Sequence, residues 1–412
     1  MNRIKEESAL VHPSAFILLN FLMPASVLTI NGGSSSIKFA VYQPTDPPRL
    51  LAGGTIDRLD AKAGAEEAVT PLIQYLDERF GASPVAAIGH RIVHGGPNLL
   101  EHQLITDEVL AELRRIQPLD LAHLPREIEL IEAMHRSFPS MPQFACFDTA
   151  FHRDLPRVSQ LLPIPLRFYH AGLRRYGFHG LSYTYLMAEL RRIAGSDAAR
   201  GRIILAHLGA GASMAAVQDE KPIDTTMAFT PTAGLVMATR PGDLDPGLLL
   251  HLMREEKLSP GEMDEFINQK CGLLGVSETT ADMRDLLAHR ASDPRAADAI
   301  GLFCRQARKW IGALAVTLGG LDTLVFSGGI GEHAPPVRQE ICGGLDFLGV
   351  HIDGSKNENN SPIISLHGSP VTVRVIPTDE EIVIAKTICR LLDPTGTRHP
   401  DGATATEGSA RT

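Results

Sequence analysis

Asn31-Gly-Gly-Ser-Ser-Ser-Ile-Lys38 follows one apolar, β-branched run and precedes another. Two strands joined by such a turn bring backbone N–H groups, serine hydroxyls and one ammonium to a single hairpin end, the parts that hold phosphate oxygens. The stretch lacks G-x-x-x-x-G-K-[ST], and a strand follows the lysine, so it is not a Walker A loop. A plain Gly-Ser turn with an exposed lysine is the competing reading. Arg91, in His90-Arg-Ile-Val-His-Gly-Gly96, offers a planar fork to carboxylate or phosphoryl oxygens, or else a structural ion pair. Asp148 closes the apolar run 143–147, either as a carboxylate aimed into a cleft or as a turn cap. Arg240 lies on a Pro-Gly turn, where function concentrates, with Asp243 or Asp245 as alternative ion-pair partners. His179 has Arg174 and Arg175 nearby, which suits an anion role against that of a structural histidine. His207 ends a strand before Gly209-Ala210-Gly211, and Glu380 opens a helix, where an acid also serves the dipole. Patterns of the H-E-x-x-H or EF-hand type are absent. A Mg²⁺ held by few protein ligands and substrate phosphates would leave only this faint trace.

The elements that position these residues alternate. Helical spacing runs over 66–80, 106–116, 125–136, from 180 to about 192, 296–318 and 380–392. Apolar strands are predicted at 85–88, 143–147, 202–208, 323–326 and 371–376, several ending in glycines. Glycine turns at strand ends in both halves suggest one nucleotide held between two domains. At 412 residues the chain is too long for one core. The formal charge of −9 argues against a nucleic-acid surface, so a phosphate site needs local clusters of Arg, Lys and His. Five scattered cysteines without C-x-x-C read as reduced thiols in a cytoplasmic protein. Residues 1–22 carry an apolar run too short to span a membrane and read as an extension outside the fold, with Met23 as the natural start. The tail 394–412 lacks periodicity and reads as disordered.

Together these motifs resemble the acetate and propionate kinase family over about 27–388. Further carriers are Phe147-Asp-Thr-Ala-Phe-His152, Arg175-Tyr-Gly-Phe-His-Gly180, Thr239-Arg-x-Gly-Asp-Leu-Asp-Pro246, Gly272-Leu-Leu-Gly275, Gly328-Gly-Ile-Gly-Glu332 and Pro377-Thr-Asp-Glu-Glu381. The resemblance implies an α/β fold of two ribonuclease-H-like domains, of the sugar kinase/Hsp70/actin type, around an interdomain cleft. The first domain would span 23–152, completed by the 380–392 helix, and the second, nucleotide-binding domain 153–379. It further implies a homodimer that transfers phosphoryl reversibly between ATP and acetate, giving acetyl phosphate and ADP. Asn31 and Glu380 would serve Mg²⁺ (or Mn²⁺), and Lys38 the nucleotide phosphates. Arg91 would bind the carboxylate, with Val93, Ala122 and Pro231 around its alkyl group. Asp148 would be the catalytic carboxylate, with His179 and Arg240 on the transferring phosphoryl. ATP would lie against His207, Leu208, Gly209, Ala210 and Gly211, against Asp282, Met283 and Arg284, and against Gly329, Ile330, Gly331, Glu332 and His333.

A carboxylate nucleophile is already ionised at neutral pH, so Asp148 reads as an orienting group rather than a proton donor. The chain departs from the family at Ala210, where Asn is usual, at His333, at Pro241 and at Ala122, where Leu is usual. These departures leave a propionate-preferring kinase, or one with another phosphoryl donor, as alternatives within the enzymes. A nucleotide-gated binding protein of the Hsp70/actin type is the alternative of another class, although no large peptide-binding segment is present.

Overall fold

The computed structural model describes residues 4–6, 26–32, 36–57, 65–81 and 85–393. Met23, the turn residues 33–35 and the tail 394–412 lie outside the described residues, as does most of the 1–22 stretch. Of that stretch, expected to have no place in the fold, Ile4–Glu6 forms a short strand, β1, on an otherwise unpaired sheet edge.

The first sheet also contains β2 (Ser26–Gly32), β3 (Ser36–Gln43), β4 (Arg49–Asp57), β5 (Val85–Ile92), β6 (Gln103–Leu104) and β7 (Gln143–Phe147). Its order is β1-β4-β3-β2-β5-β7-β6, with β2, β5 and β7 parallel. The second sheet holds β8 (Ile203–Leu208), β9 (Ala212–Gln218), β10 (Lys221–Thr225), β11 (Thr323–Ser327) and β12 (Thr372–Val375), ordered β10-β9-β8-β11-β12. Both sheets follow one plan, an antiparallel meander followed by two parallel strands. These are two ribonuclease-H-like lobes.

Each lobe buries its sheet between helices, because every strand at its centre is apolar on both faces. One face of the first sheet packs on Val69, Leu72 and Leu76 of the Ala65–Phe80 helix and on Leu130, Ala133 and Met134 of the Leu124–Ser137 helix. The other face is covered by the last helix, Glu380–Leu392, through Val383, Ile384 and Ile388. Gly89 permits this approach, since a Cβ there would stand 2.4 Å from Ile384 Cγ2. In the second lobe the long Pro294–Leu318 helix covers one face and the Gly180–Arg200 helix the other. That last helix also sends Leu181 into the core of the first lobe, so it ties the two together.

Two boundaries differ from the sequence reading. Strand β5 was expected to stop at residue 88 but continues to Ile92, because His90, Arg91 and Ile92 stay paired with β7. Arg91 therefore sits on a sheet strand, not on a loop. The helix expected to end near 192 continues to Arg200 across a kink at Gly195, whose φ of 84° lies outside helical space.

Candidate active site

The site forms where strands of both sheets end. Arg91 projects from β5 and donates from Nε to both oxygens of Asp148, at 3.2 and 3.1 Å, and from Nη2 at 2.5 Å. Its Nη1 donates to Asn31 Oδ1 at 3.2 Å, and Glu380 Oε2 lies 3.7 Å from Nε. Asn31 in turn donates to Glu380 Oε2 at 3.3 Å. Residues far apart in sequence thus form one cluster at the ends of β2, β5 and β7 and the start of the last helix. Burial works against the Arg91 charge, but Asp148 and Glu380 outweigh it and raise its pKa. Burial raises the Asp148 pKa, with Arg91 opposing. The turn-cap reading of Asp148 fails: its carboxylate faces Arg91, and only its main-chain oxygen holds the next segment, accepting from Gly180 N at 2.9 Å.

That bond places His179. It precedes the Gly180–Arg200 helix in left-handed conformation, φ 58°, a strained position for a non-glycine residue. A Cβ on Gly180 would come within 2.1 Å of Asp148 O, so only glycine lets the two segments meet. The His179 ring stacks on His207 at 4.3 Å, and Ser213 Oγ lies 2.8 Å from its Nδ1. Ser213 Oγ is also 2.5 Å from Tyr183 Oη. Tyr183 is fully buried with Ser213 as its hydrogen-bond partner, so the phenol donates to Ser213 and Ser213 donates to Nδ1. The ring proton is then on Nε2. Burial, with His207, Arg91 and Arg240, pushes the His179 pKa well below its ordinary value. In this arrangement His179 offers a neutral N–H toward the cleft.

Arg240 shares this corner. A Cβ on Gly211 would meet Arg240 Nη2 at 2.8 Å and His179 Nε2 at 3.2 Å, so both donors converge over one glycine. Burial pulls the Arg240 pKa down to about 10. Its Nη1 donates to Pro231 O at 2.7 Å. The two aspartates considered as its partners are engaged elsewhere: Asp243 accepts from Gly234 N, and Asp245 caps the Pro246–Glu255 helix. Arg240 is therefore a partly buried cation without a carboxylate in salt-bridge range among the described residues.

Glycine turns form the opposite wall. Gly209 donates to Gly211 O at 3.0 Å in the β8–β9 turn, with Ala210 exposed at its tip. Gly328 follows β11 with φ 75°, and Gly329 is exposed to open space beside that turn. Lys38 is exposed on β3, and its charge acts on both His207 and Glu381.

Some expected nucleotide contacts have other work. Glu332 Oε1 accepts from Gly328 N at 2.8 Å and Thr378 N at 3.2 Å, so it braces the start of the short Gly328–His333 helix that stands where a glycine turn was expected. His333 is mostly exposed, 3.8 Å from Glu332. Met283 is 3 % exposed and packs in the second lobe's core. Asp282 caps the helix that follows and pairs with Arg284, which is itself largely exposed. Of the residues expected around the acyl group, Val93 is buried and donates its N–H to Glu127, while Ala122 is exposed in the turn before the Leu124–Ser137 helix. Ser213, Tyr183 and Glu127 escaped the sequence reading. Ser213 had only its place after the glycine turn as a signal, and the other two had none.

Among the described residues no group of three or more His, Cys, Asp or Glu is placed to hold a metal ion. The Asn31 amide oxygen and the Glu380 carboxylate are hard oxygen donors, which fits a Mg²⁺ held mainly by substrate phosphates.

Two ribonuclease-H-like lobes with an arginine–carboxylate cluster, a second, partly buried arginine and glycine-bearing strand ends define a phosphotransferase cleft. The comparisons with known proteins narrow the class. The Acetokinase family model matches residues 54–386. An acetate kinase of Rhodopseudomonas palustris is 41% identical over 393 residues, 89% of this chain and 98% of the relative. A propionate kinase of Citrobacter rodentium is 38% identical, over 90% of this chain and 97% of the relative. The crystal structure of Porphyromonas gingivalis acetate kinase matches with a TM-score of 0.81 at 34% identity, covering 90% of this chain and 100% of that one. The chain belongs to the acetokinase family, whose members transfer phosphoryl groups to a carboxyl acceptor.

Proposed function

We propose that the protein transfers the γ-phosphoryl group of ATP to acetate, reversibly, giving acetyl phosphate and ADP. The observation that carries this reading is the convergence of Arg240 Nη2 and His179 Nε2 over Gly211, across from the Arg91–Asp148 pair. Arg91 holds the acetate carboxylate. One carboxylate oxygen attacks the γ-phosphorus as the bond to the β,γ-bridging oxygen breaks, and that electron pair leaves with ADP. Arg240 and the His179 N–H stabilise the equatorial oxygens of the group in flight. No proton moves in this step, so Asp148 serves by orienting Arg91. Lys38 and the turns at 207–211 and 329–333 hold the nucleotide. Mg²⁺, held through Asn31 and Glu380, supplies charge neutralisation on the phosphates when bound. The reading includes a homodimer working in the cytoplasm; among the described residues no helix is long and apolar enough to cross a membrane.

ATP-dependent formation of acetyl hydroxamate from acetate and hydroxylamine tests the reaction. Its absence with acetate and propionate alike would defeat the reading. Propionate is the second acyl substrate in this reading, on the departure at Ala122, a position where the family usually carries the larger Leu. Ala122→Leu is expected to lower the propionate/acetate ratio of kcat/KM, one methylene being worth ~1–3 kcal/mol. An unchanged ratio would remove Ala122 from the pocket.

A further inference from the structure

A cavity of about 470 Å³ lies between the two helices that begin at the active site, one to three turns beyond their first residues. Its walls are the segments that carry site residues. The Gly180–Arg200 helix follows His179, the Glu380–Leu392 helix starts at Glu380, and the turn of 3-10 helix Ala150–Asp154 follows Asp148. A further wall comes from Lys221 on β10, so the cavity touches both lobes.

Its chemistry is that of an anion site. Lys221, Lys386 and Arg390 line it, and among the described residues none has a carboxylate within the 4.0 Å of a salt bridge. The acids along its wall are already matched: Glu189 by Arg192, Glu220 by Arg191, and Asp154 by Arg153. His102 adds a directed donor. Its Nδ1 accepts from Phe147 N at 3.0 Å, which puts the ring proton on Nε2, and Nε2 has no hydrogen-bond partner among the described residues. Burial, with Arg390 and Arg153 nearby, holds the His102 pKa down to about 4, so the ring stays neutral and keeps that tautomer. Such an excess of unmatched cations around one cavity is unexpected in a chain of formal charge −9.

We propose that this cavity binds a small, multiply charged oxyanion, a phosphate monoester or a polycarboxylate, and that its occupancy regulates the kinase. The anion would bridge Lys221 of the second lobe to Lys386 and Arg390 of the first, favouring one relative placement of the lobes. It would also act on the site through His102, which holds the amide next to Asp148, and through the helices that begin at Glu380 and after His179. Binding stands independently of the proposed kinase reaction; the regulatory half rests on it.

Isothermal titration calorimetry on the full-length protein tests binding, with glycerol 3-phosphate as the monoester and tricarballylate as the polycarboxylate. At least one is expected to bind, and the tighter of the two identifies the class. Lys386→Ala/Arg390→Ala should weaken it about ten- to a hundredfold, the loss of charged hydrogen bonds. Lys221→Ala, on another element, should weaken it less, and Arg91→Ala not at all. Failure of both anions to bind overturns the proposal. So does binding that survives both the double variant and Lys221→Ala, or binding abolished by Arg91→Ala, which would place the anion in the cleft. In kinetic assays the bound anion should change the acetate KM of the wild type about fivefold or more, and leave the double variant unaffected. Calorimetric binding with unchanged kinetics in an active enzyme overturns the regulatory half. An enzyme that does not phosphorylate acetate would fail the kinase reading while leaving the calorimetry intact.

Discussion

The two lobes share one strand order, yet their strand ends present different chemistry. In the first lobe β2, β5 and β7 deliver side chains: Asn31, Arg91 and, just past the last strand, Asp148, all tied to Glu380. In the second lobe β8 and β11 deliver main chain, Gly209–Gly211 and Gly328–Gly329, with few charges. The contrast follows from what each wall is proposed to hold. A two-carbon carboxylate has almost no surface, so charge and a planar fork must recognise it. Phosphates accept many hydrogen bonds, and backbone amides supply them without burying charge. One topology can thus recognise by side chain on one wall and by backbone on the other.

The contrast can be broken at the residue where the walls meet. Arg240 is the partly buried cation over the second lobe's turn, and Arg240→Ala is expected to lower kcat about 10²–10³-fold, the usual cost of losing a transition-state contact. A near-normal kcat in steady-state assays would remove Arg240 from the phosphoryl site. A smaller effect sharpens the backbone side. Ala210 offers a phosphate only its N–H, whereas Ala210→Asn adds an amide donor at the exposed tip of the turn. The ATP KM should then fall about tenfold or somewhat more, with the acetate KM unchanged. A variant that leaves the ATP KM where it was, in an enzyme already saturated by micromolar ATP, would show that the backbone alone suffices there.

Ser213→Ala tests a side chain hidden behind the glycine wall. It removes the donor to His179 Nδ1 and frees the ring to place its proton on either nitrogen. The expected loss in kcat is about tenfold, with the ATP KM little changed and Ser213→Thr restoring activity. The ¹⁵N shifts of His179 should report a mixed tautomer. A shift in tautomer without loss of rate would mean that His179 does not act on the phosphoryl group.

The smallest expected effect concerns stability in both lobes. His90, His94 and His152 are buried and His102 and His207 partly so, and desolvation lowers each from 6.5 to about 4. Their folded pKa values are depressed, so they cost nothing above pH 6.5. As pH falls toward 4 the unfolded chain takes up protons that the folded chain refuses, and stability drops. Each contributes up to about 1.4 kcal/mol per pH unit in that window. Thermal melts should show Tm falling across it, and His90→Gln should flatten the slope by about one proton. An identical slope in the variant would mean that His90 titrates normally in the fold.

The order of elements was legible because period and punctuation are local. Thr106 caps its helix by accepting from Val109 N, and Asp379 caps the last helix by accepting from Ile382 N, both as side-chain chemistry next to an apolar stripe dictates. The reach of β5 to Ile92 was not legible, because Gly-His-Arg breaks the apolar run and only pairing with β7 carries the strand onward. The same holds at the site. Residue types and motif spacing marked Arg91, Asp148, His179 and Arg240 as candidates for phosphoryl chemistry. Only the tertiary structure decided that Asp148 grips Arg91, that Glu332 braces the start of a short helix, that Met283 belongs to the core, and that Tyr183 and Ser213 set the proton on His179. Those outcomes depend on burial and on partners tens to hundreds of residues away, and a hydrogen bond between distant residues leaves no period in the chain that makes it.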